Sequence, residues 1–390
     1  MNADQLPPDM TDVRPRALVI GGSVGGLFVG HLLRQMGWDA LVFERSSGDL
    51  ASRGAGIGTS EALFAVLRRI GVAVDLSNGI EVRSRICLDQ RGEIVHELPV
   101  HSVTSSWDSI YRPLRQAFPP DQYRAGMVLE RVEQNEQSVT AVFADGSRVT
   151  GDLLAGADGS ESAVRQQFLP QVQPRYAGYV NWRFVAEQHD VPPVAHATLD
   201  GRFGCCLPDG ELAIALTIPG PGGDTREGRH RHYVGWFRPA DEEQTLTDLF
   251  TDIPGRRHGN SIPPPLIRPE IVADLKARAR ALLAPQVAAI IDGATQPLLQ
   301  AVSDLESSST GLRAGNPTRR CGLRRSAARC RWGDEGGARR AEPRGRVRGS
   351  AGRPCSSAHS LRTRAAVVRE RTRRARSSPR SVFGGAAQAL

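Results

Sequence analysis

Arg16–Leu27 reads RALVIGGSVGGL. Four apolar residues, Ala17, Leu18, Val19 and Ile20, run into a glycine-rich turn. An apolar-periodic segment follows (Leu27, Phe28, Val29, Leu32, Leu33, Met36) and stops at Gly37. The pattern predicts a buried strand, a tight turn and a helix. That order aims unpaired backbone N–H groups and the positive end of a helix at a phosphate. A second strand, Asp39–Glu44 (DALVFE), ends on an acid. Counted from Gly26, Glu44 stands where a dinucleotide-binding βαβ unit carries its ribose-binding carboxylate. The turn, Gly21, Gly22, Ser23, Val24, Gly25 and Gly26, follows G-x-G-x-x-G except that Ser23 replaces the middle glycine.

With 390 residues the chain can bury a large core, and two domains are expected. Met1–Pro15 is polar and lacks the apolar core of a secretory leader. The uncharged run Ala17–Leu33 approaches membrane-spanning length, but its glycines suit a strand–turn–helix, and no membrane span is expected. Six cysteines without C-x-x-C spacing suit a reduced, cytoplasmic protein and neither a disulfide scaffold nor a zinc site. The net charge of +8 conceals a split. Residues 1–310 carry 29 basic and 38 acidic side chains, whereas residues 311–390 carry 21 arginines, no lysine and 4 acids. The body is thus an ordinary acidic globular protein, and the basic character belongs wholly to the segment after it.

Outward from the opening unit, Arg53–Gly58 (RGAGIG) reads as a flexible loop able to pass close to a ligand. Ser60–Ile70 reads as an amphipathic helix, Val82–Leu98 as strands around a turn at Gln90–Gly92, and Ser106–Phe118 as a helix. Val128–Val132, Val139–Phe143 and Arg148–Thr150 read as strands, the last two joined by an Asp145-Gly146 hairpin. Asp152–Arg165 (DLLAGADGSESAVR) repeats the strand–turn–helix theme, with a helix capped near Ser160 and a carboxylate, Asp158, inside a glycine turn. From Tyr176 to about Arg238 the pattern is β-rich without alternating helices. Helices then return at Leu246–Phe250, Ile271–Leu283 and Gln286–Ile291, and Leu298–Val302 reads as a last strand.

Together VIGGSVGGL, VFERS, AGADGSESAVR, YAGYVNWR and GRFGCCLPDG resemble the flavoprotein aromatic hydroxylases, closest to their 2,6-dihydroxypyridine 3-monooxygenase branch, over roughly residues 14–306. The resemblance implies an α/β fold: a Rossmann-like (GR2-type) FAD-binding domain with an inserted, mostly antiparallel β-sheet substrate domain. Its implied division assigns 14–80, 101–174 and 271–306 to the FAD-binding domain, and 81–100 and 175–270 to the substrate domain. Residues 307–390 are left as a disordered tail. The implied chemistry is an NADH- or NADPH-dependent monooxygenase that hydroxylates a hydroxylated N-heteroaromatic or phenolic ring through a flavin hydroperoxide. Its partners are a small aromatic substrate and O2, with no specific nucleic acid and no membrane, and a homodimer is allowed. The implied FAD contacts are Gly21, Gly22, Ser23, Val24, Gly25, Gly26, Glu44, Arg45, Arg53, Arg112, Asp158 and Gly159.

The family's third flavin motif, a Gly-Asp-Ala-Ala strand–turn–helix, should follow soon after Val302–Glu306, and the chain does not contain it. In its place stands an arginine-, alanine- and glycine-rich text in which large apolar and aromatic residues are sparse and follow no period. Such text cannot bury enough surface to offset its ordering entropy. It is also what a GC-rich gene gives when read out of frame. One synonymous-codon choice for Arg319–Gly337, read from the second base, yields DAAAFVARPHVAGGVTKA, close to the missing segment. Two alternatives stand beside the enzyme: an inactive flavoprotein whose frame was lost, and a protein with a basic arm for nucleic acid. The arm's aromatics are only Trp332 and Phe383, without a stacking pattern.

No catalytic base is readable. His31 reads as a packed helix histidine. His230 and His232 read as members of a charged loop without a nearby carboxylate pair, so no metal site is expected. Tyr176, Tyr179, Trp182 and Arg183 read first as core packing at the start of the sheet domain.

Overall fold

The computed structural model describes residues 14–50, 56–73 and 79–307. The expectations for Arg53 and for the tail beyond Ser307 fall outside these residues. In chain order the described elements begin with β1 (Arg16–Ile20), α1 (Val24–Gln35), β2 (Asp39–Glu44), β3 (Gly56–Gly58), α2 (Glu61–Arg69), β4 (Ile80–Leu88) and β5 (Ile94–Ser106). There follow α3 (Trp107–Ala117), β6 (Tyr123–Ala125), β7 (Leu129–Gln134), β8 (Val139–Phe143), β9 (Arg148–Gly151), β10 (Leu153–Gly156) and α4 (Ala163–Phe168). The last third holds β11 (Arg175–Glu187), α5 (Pro193–Leu199), β12 (Arg202–Cys206), β13 (Leu212–Ile218), β14 (Arg231–Pro239) and α6 (Thr245–Leu249). It closes with β15 (Ser261–Ile262), α7 (Pro269–Leu282), α8 (Pro285–Gly293) and β16 (Leu298–Asp304).

A four-stranded sheet, ordered β10-β1-β2-β6 and parallel throughout, carries the opening unit. Its central strands are covered on both faces, which is why β1 and β2 are continuous apolar runs; Ala17, Leu18, Val19, Val42 and Phe43 have no solvent exposure. Helix α1 packs tightly on it. A Cβ at Gly30 would press on Phe118 and Val42, so glycine there lets the helix settle onto the strand. Helix α2 starts where a serine cap predicts, with Ser60 accepting from the Leu63 N–H at 3.4 Å.

The second sheet has nine strands, ordered β15-β16-β11-β14-β13-β12-β4-β5-β3, all antiparallel neighbours except the parallel β12–β4 pair. Trp182 and Trp236 face each other across β11 and β14 and are buried to about one per cent or less. Each such ring removes about 150–250 Å² from water, worth up to about 4–6 kcal/mol at 25 cal/mol per Å². A three-stranded meander, β7-β8-β9, completes the fold. Among the described residues, no helix is long and apolar enough to cross a membrane.

Four expectations need correction. The β-rich stretch contains a helix, α5, whose start is set by Pro193 and which packs against β12, β13 and α8. Residues 271–306 pack with the large sheet: β16 pairs antiparallel with β11, and α7 and α8 share the core of Trp182, Phe184 and Trp236. A local pattern of helix and strand does not say which sheet will receive them. Helix α4 is capped by Ser162, which accepts the Arg165 N–H at 2.9 Å, because the preceding turn extends past Gly159 (φ +80°). Finally, His230 and His232 are buried at 9% and 0% exposure, the second of them within β14.

Candidate functional site

A cleft of about 470 Å³ opens at the carboxyl ends of β1 and β2 and the turn after β10, where ligands bind in α/β sheets. Ile20, Gly21 and Ser23 form its floor, Glu44 and Arg45 one side, and Ala157, Asp158 and Gly159 the other. The opposite wall comes from the large sheet and its neighbours: Gly56, Ile57, Trp107, Arg183 and Tyr233. None of the described lining residues lies beyond Tyr233 in the chain.

The glycine turn is forced by close approach. Gly21 has φ +104°, and a Cβ there would run into the Ala157 carbonyl, so the ends of β1 and β10 meet only because this residue lacks a side chain. Gly21 N–H donates to the Phe43 carbonyl at 2.8 Å and Ala157 N–H to that of Ile20 at 2.6 Å, locking all three strand ends. A Cβ at Gly26 would strike the Gly21 carbonyl, so α1 folds back directly on the turn. Gly25, exposed in the first helical turn, faces open space.

Ser23 occupies the N-cap of α1 but makes no capping bond, and the first turn carries no acid. The Leu27 N–H is the first amide to bond within the helix, to the Ser23 carbonyl at 2.9 Å, which leaves the preceding amides for an anion. Beneath the turn, the Tyr123 hydroxyl donates to the Gly22 carbonyl at 3.1 Å while the Arg115 guanidinium lies 4.0 Å from its ring centroid. Burial, chiefly, pushes that hydroxyl's pKa well above the ordinary range.

Glu44, 7% exposed, accepts the Gly22 N–H at 2.8 Å and the Ser46 N–H at 2.9 Å. The acid therefore fixes the turn while presenting its remaining lone pairs at the cleft. Asp158 accepts the Val164 N–H through Oδ2 at 3.3 Å, but its Oδ1 is buried with no partner among the described residues. An unpaired buried carboxylate oxygen costs on the order of 1–3 kcal/mol or more, which a donor on a ligand would recover. On the facing wall, Arg183 Nε is likewise buried without a partner among the described residues. Tyr233 is 5% exposed, and its hydroxyl is pushed up by burial, with the Arg183 cation pulling the other way.

Gly21, Ser23, Glu44, Arg45, Asp158 and Gly159 thus share one cleft. Gly22, Val24, Gly25 and Gly26 are not among the lining residues; they lie in the same turn and in the first turn of α1. Arg112 is not among the lining residues; it is half exposed, 3.9 Å from Asp108 and 4.0 Å from Asp49. Trp107 and Tyr233 carry no site signal in the sequence, and Arg183 reads there as packing. The alternation of YVNWRFV holds the one usable signal for Arg183, since Trp182 and Phe184 are core and Arg183 must face the other side.

The donor set fits a flavin dinucleotide on this structure's own terms. Among the described residues there are unpaired amides at the start of α1 for a pyrophosphate, a buried acid for a ribose, and an orphaned carboxylate oxygen further along the cleft.

Comparison with known proteins agrees. A family model described as FAD binding domain-like matches residues 176–304. The chain is 30% identical over 296 residues to 2,6-dihydroxypyridine 3-monooxygenase of Paenarthrobacter nicotinovorans, spanning 76% of this chain and 73% of the relative. It is 34% identical over 268 residues to aurachin C monooxygenase/isomerase of Stigmatella aurantiaca, 62% of this chain and 70% of that one. The solved 2,6-dihydroxypyridine-3-hydroxylase from Arthrobacter nicotinovorans superposes with a TM-score of 0.72 at 28% identity, over 77% of this chain and 76% of that structure.

Proposed function

The chain belongs to the FAD-dependent aromatic hydroxylases, and from that premise we propose that it hydroxylates a hydroxylated N-heteroaromatic or phenolic ring, with NADH or NADPH as reductant and O2 as co-substrate. The observation that carries the reading is the single cleft in which an amide-rich turn, Glu44 and the orphaned Asp158 Oδ1 face Arg183 and Tyr233. The N-terminal amides of α1 and the Ser23 hydroxyl hold the pyrophosphate, Glu44 the adenosine ribose, and Asp158 a donor further along the cofactor. FAD, when bound and reduced by NAD(P)H, would supply the activation of O2, one atom of which goes to the ring and the other to water.

The chain's own contribution is to orient and charge the ring. The Arg183 guanidinium, buried at Nε, stabilises a ring hydroxyl as its anion, because a nearby cation lowers that group's pKa. The anion is the electron-rich form that accepts oxygen. Ile57, Trp107 and the Tyr233 ring keep water away from the reacting edge. We place the protein in the cytoplasm, in keeping with free, buried Cys87, Cys205 and Cys206.

The test is direct. Purified protein should be yellow or bind added FAD with a rise in Tm, and a hydroxypyridine should stimulate NAD(P)H oxidation and O2 uptake together with formation of a hydroxylated product. A colourless protein that FAD does not stabilise overturns the reading and leaves the inactive remnant, which the 296-residue match does not favour.

A further inference from the structure

On the far side of the large sheet from the cleft, α5 and the start of β14 bring three metal-ligating side chains together. Strand alternation separates the two faces: Tyr233 lines the cleft, whereas His230 and His232 point away from it, toward α5. His196 and Asp200 are four residues apart, which places them on one side of a helical turn, and the Asp200 N–H closes that turn onto the His196 carbonyl at 2.8 Å. One ligand atom from each of His196, Asp200 and His230 lies within 4.8 Å of the others.

His230 supplies an independent observation. It is 9% exposed, and its Nε2 lies 2.8 Å from the Thr225 carbonyl, so that nitrogen carries the proton and donates. In the neutral ring Nδ1 then carries the lone pair, and it is buried with no partner among the described residues. A ring nitrogen donating to a backbone carbonyl while the other stays free is how proteins set a histidine for a metal ion. His196 is flanked at Nε2 by the Gln188 amide and at Nδ1 by His232 Nε2, each at 3.1 Å, so an ion arriving at either nitrogen exchanges one of these contacts.

We propose that His196, Asp200 and His230 form a binding site for one divalent transition-metal ion of the zinc, cobalt or nickel class. Two imidazoles and one carboxylate favour these ions over the oxygen-seeking Ca²⁺ and Mg²⁺. Bonds of about 2.0–2.2 Å bring tetrahedral ligands to roughly 3.3–3.6 Å of one another, so the three atoms close in by up to about 1.5 Å, which rotation of the Asp200 and His196 side chains supplies. None of the three lines the flavin cleft, so the site is a clamp between α5 and β14 and does not depend on the hydroxylase reading.

The experiment uses the full chain, stripped with EDTA and titrated with Co²⁺ under visible absorption, then with Zn²⁺ in competition. One Co²⁺ per chain should bind with ligand-field bands that Zn²⁺ abolishes. His230→Gln and Asp200→Asn should each weaken binding by more than the roughly 10–100-fold that loss of a supporting partner alone causes. His101→Gln, which removes an exposed imidazole on β5, should leave binding unchanged. Should His230→Gln fail to fold, Asp200→Asn decides. Absence of saturable one-ion uptake, equal affinity in the folded His230 and Asp200 variants, or equal loss in His101→Gln overturns the proposal. Flavin content, measured on the same samples, reports separately on the cleft.

Discussion

Gly25→Ala separates the needs of the fold from those of the ligand. Gly25 lies at the second position of α1, is exposed, and a Cβ built there meets nothing within 4 Å. Its φ is not in the left-handed region, so alanine suits the backbone. Folding of the apoprotein should therefore gain about 0.5 kcal/mol from the lower entropy of the unfolded chain, a Tm rise of about 1–2 °C. Ligand binding should move the other way, because the methyl stands where a pyrophosphate must approach the bare amides. Losing one charge-assisted hydrogen bond costs about 1.5–3 kcal/mol, or roughly a 10–100-fold rise in the FAD Kd. Thermal unfolding without flavin and quenching of FAD fluorescence on titration give the two quantities. A more stable protein that binds FAD as well as before refutes the placement of the pyrophosphate at α1. A less stable one refutes the open space around Gly25.

Arg183→Gln removes the guanidinium and leaves a shorter polar chain that ends about where Nε stood; KM for the aromatic substrate should rise about 10–100-fold, with the FAD Kd unchanged. His31 is held below its ordinary value of 6.5 mainly by burial, its Nε2–H donating to the Leu114 carbonyl at 2.9 Å. The unfolded chain then binds the proton more readily, so stability falls as pH drops below about 6.5, by at most about 1.4 kcal/mol per unit, and His31→Gln should flatten that slope in Tm measured from pH 7.5 to 5. Sequencing the locus should reveal the Gly-Asp-Ala-Ala segment, or a close variant, in another frame after the codons for Glu306; its absence from every frame removes the frameshift.

The opening unit was legible because its signals are local. Four apolar residues, a glycine turn and a helical period specify β1 and α1 without reference to anything distant, and the short span from Gly26 to the end of β2 then places Glu44 beside the turn. What escaped depends on pairing across the chain. Helix α5 is seven residues long, below the length at which helical propensity decides anything, and it exists because Ala195 and Leu199 are buried against the sheet. Strand β16 joins β11, with β12, β13, β14 and β15 intervening in the chain, and no local pattern encodes that partner. His196 and His230 are separated in sequence by two whole strands, β12 and β13, so their meeting needed a helix that no local signal announced.

The same reasoning bears on the missing motif. Every described lining residue lies at or before Tyr233, and the chain from β15 to β16 is committed to the large sheet and its core. None of it is free to supply a further strand–turn–helix to the cleft. The orphaned Asp158 Oδ1 already faces that cleft, so the described part of the chain presents one end of the proposed cofactor site. If the locus carries the family segment in another frame, restoring that frame should tighten FAD binding, measured by fluorescence quenching, without altering the turn proposed to hold the pyrophosphate.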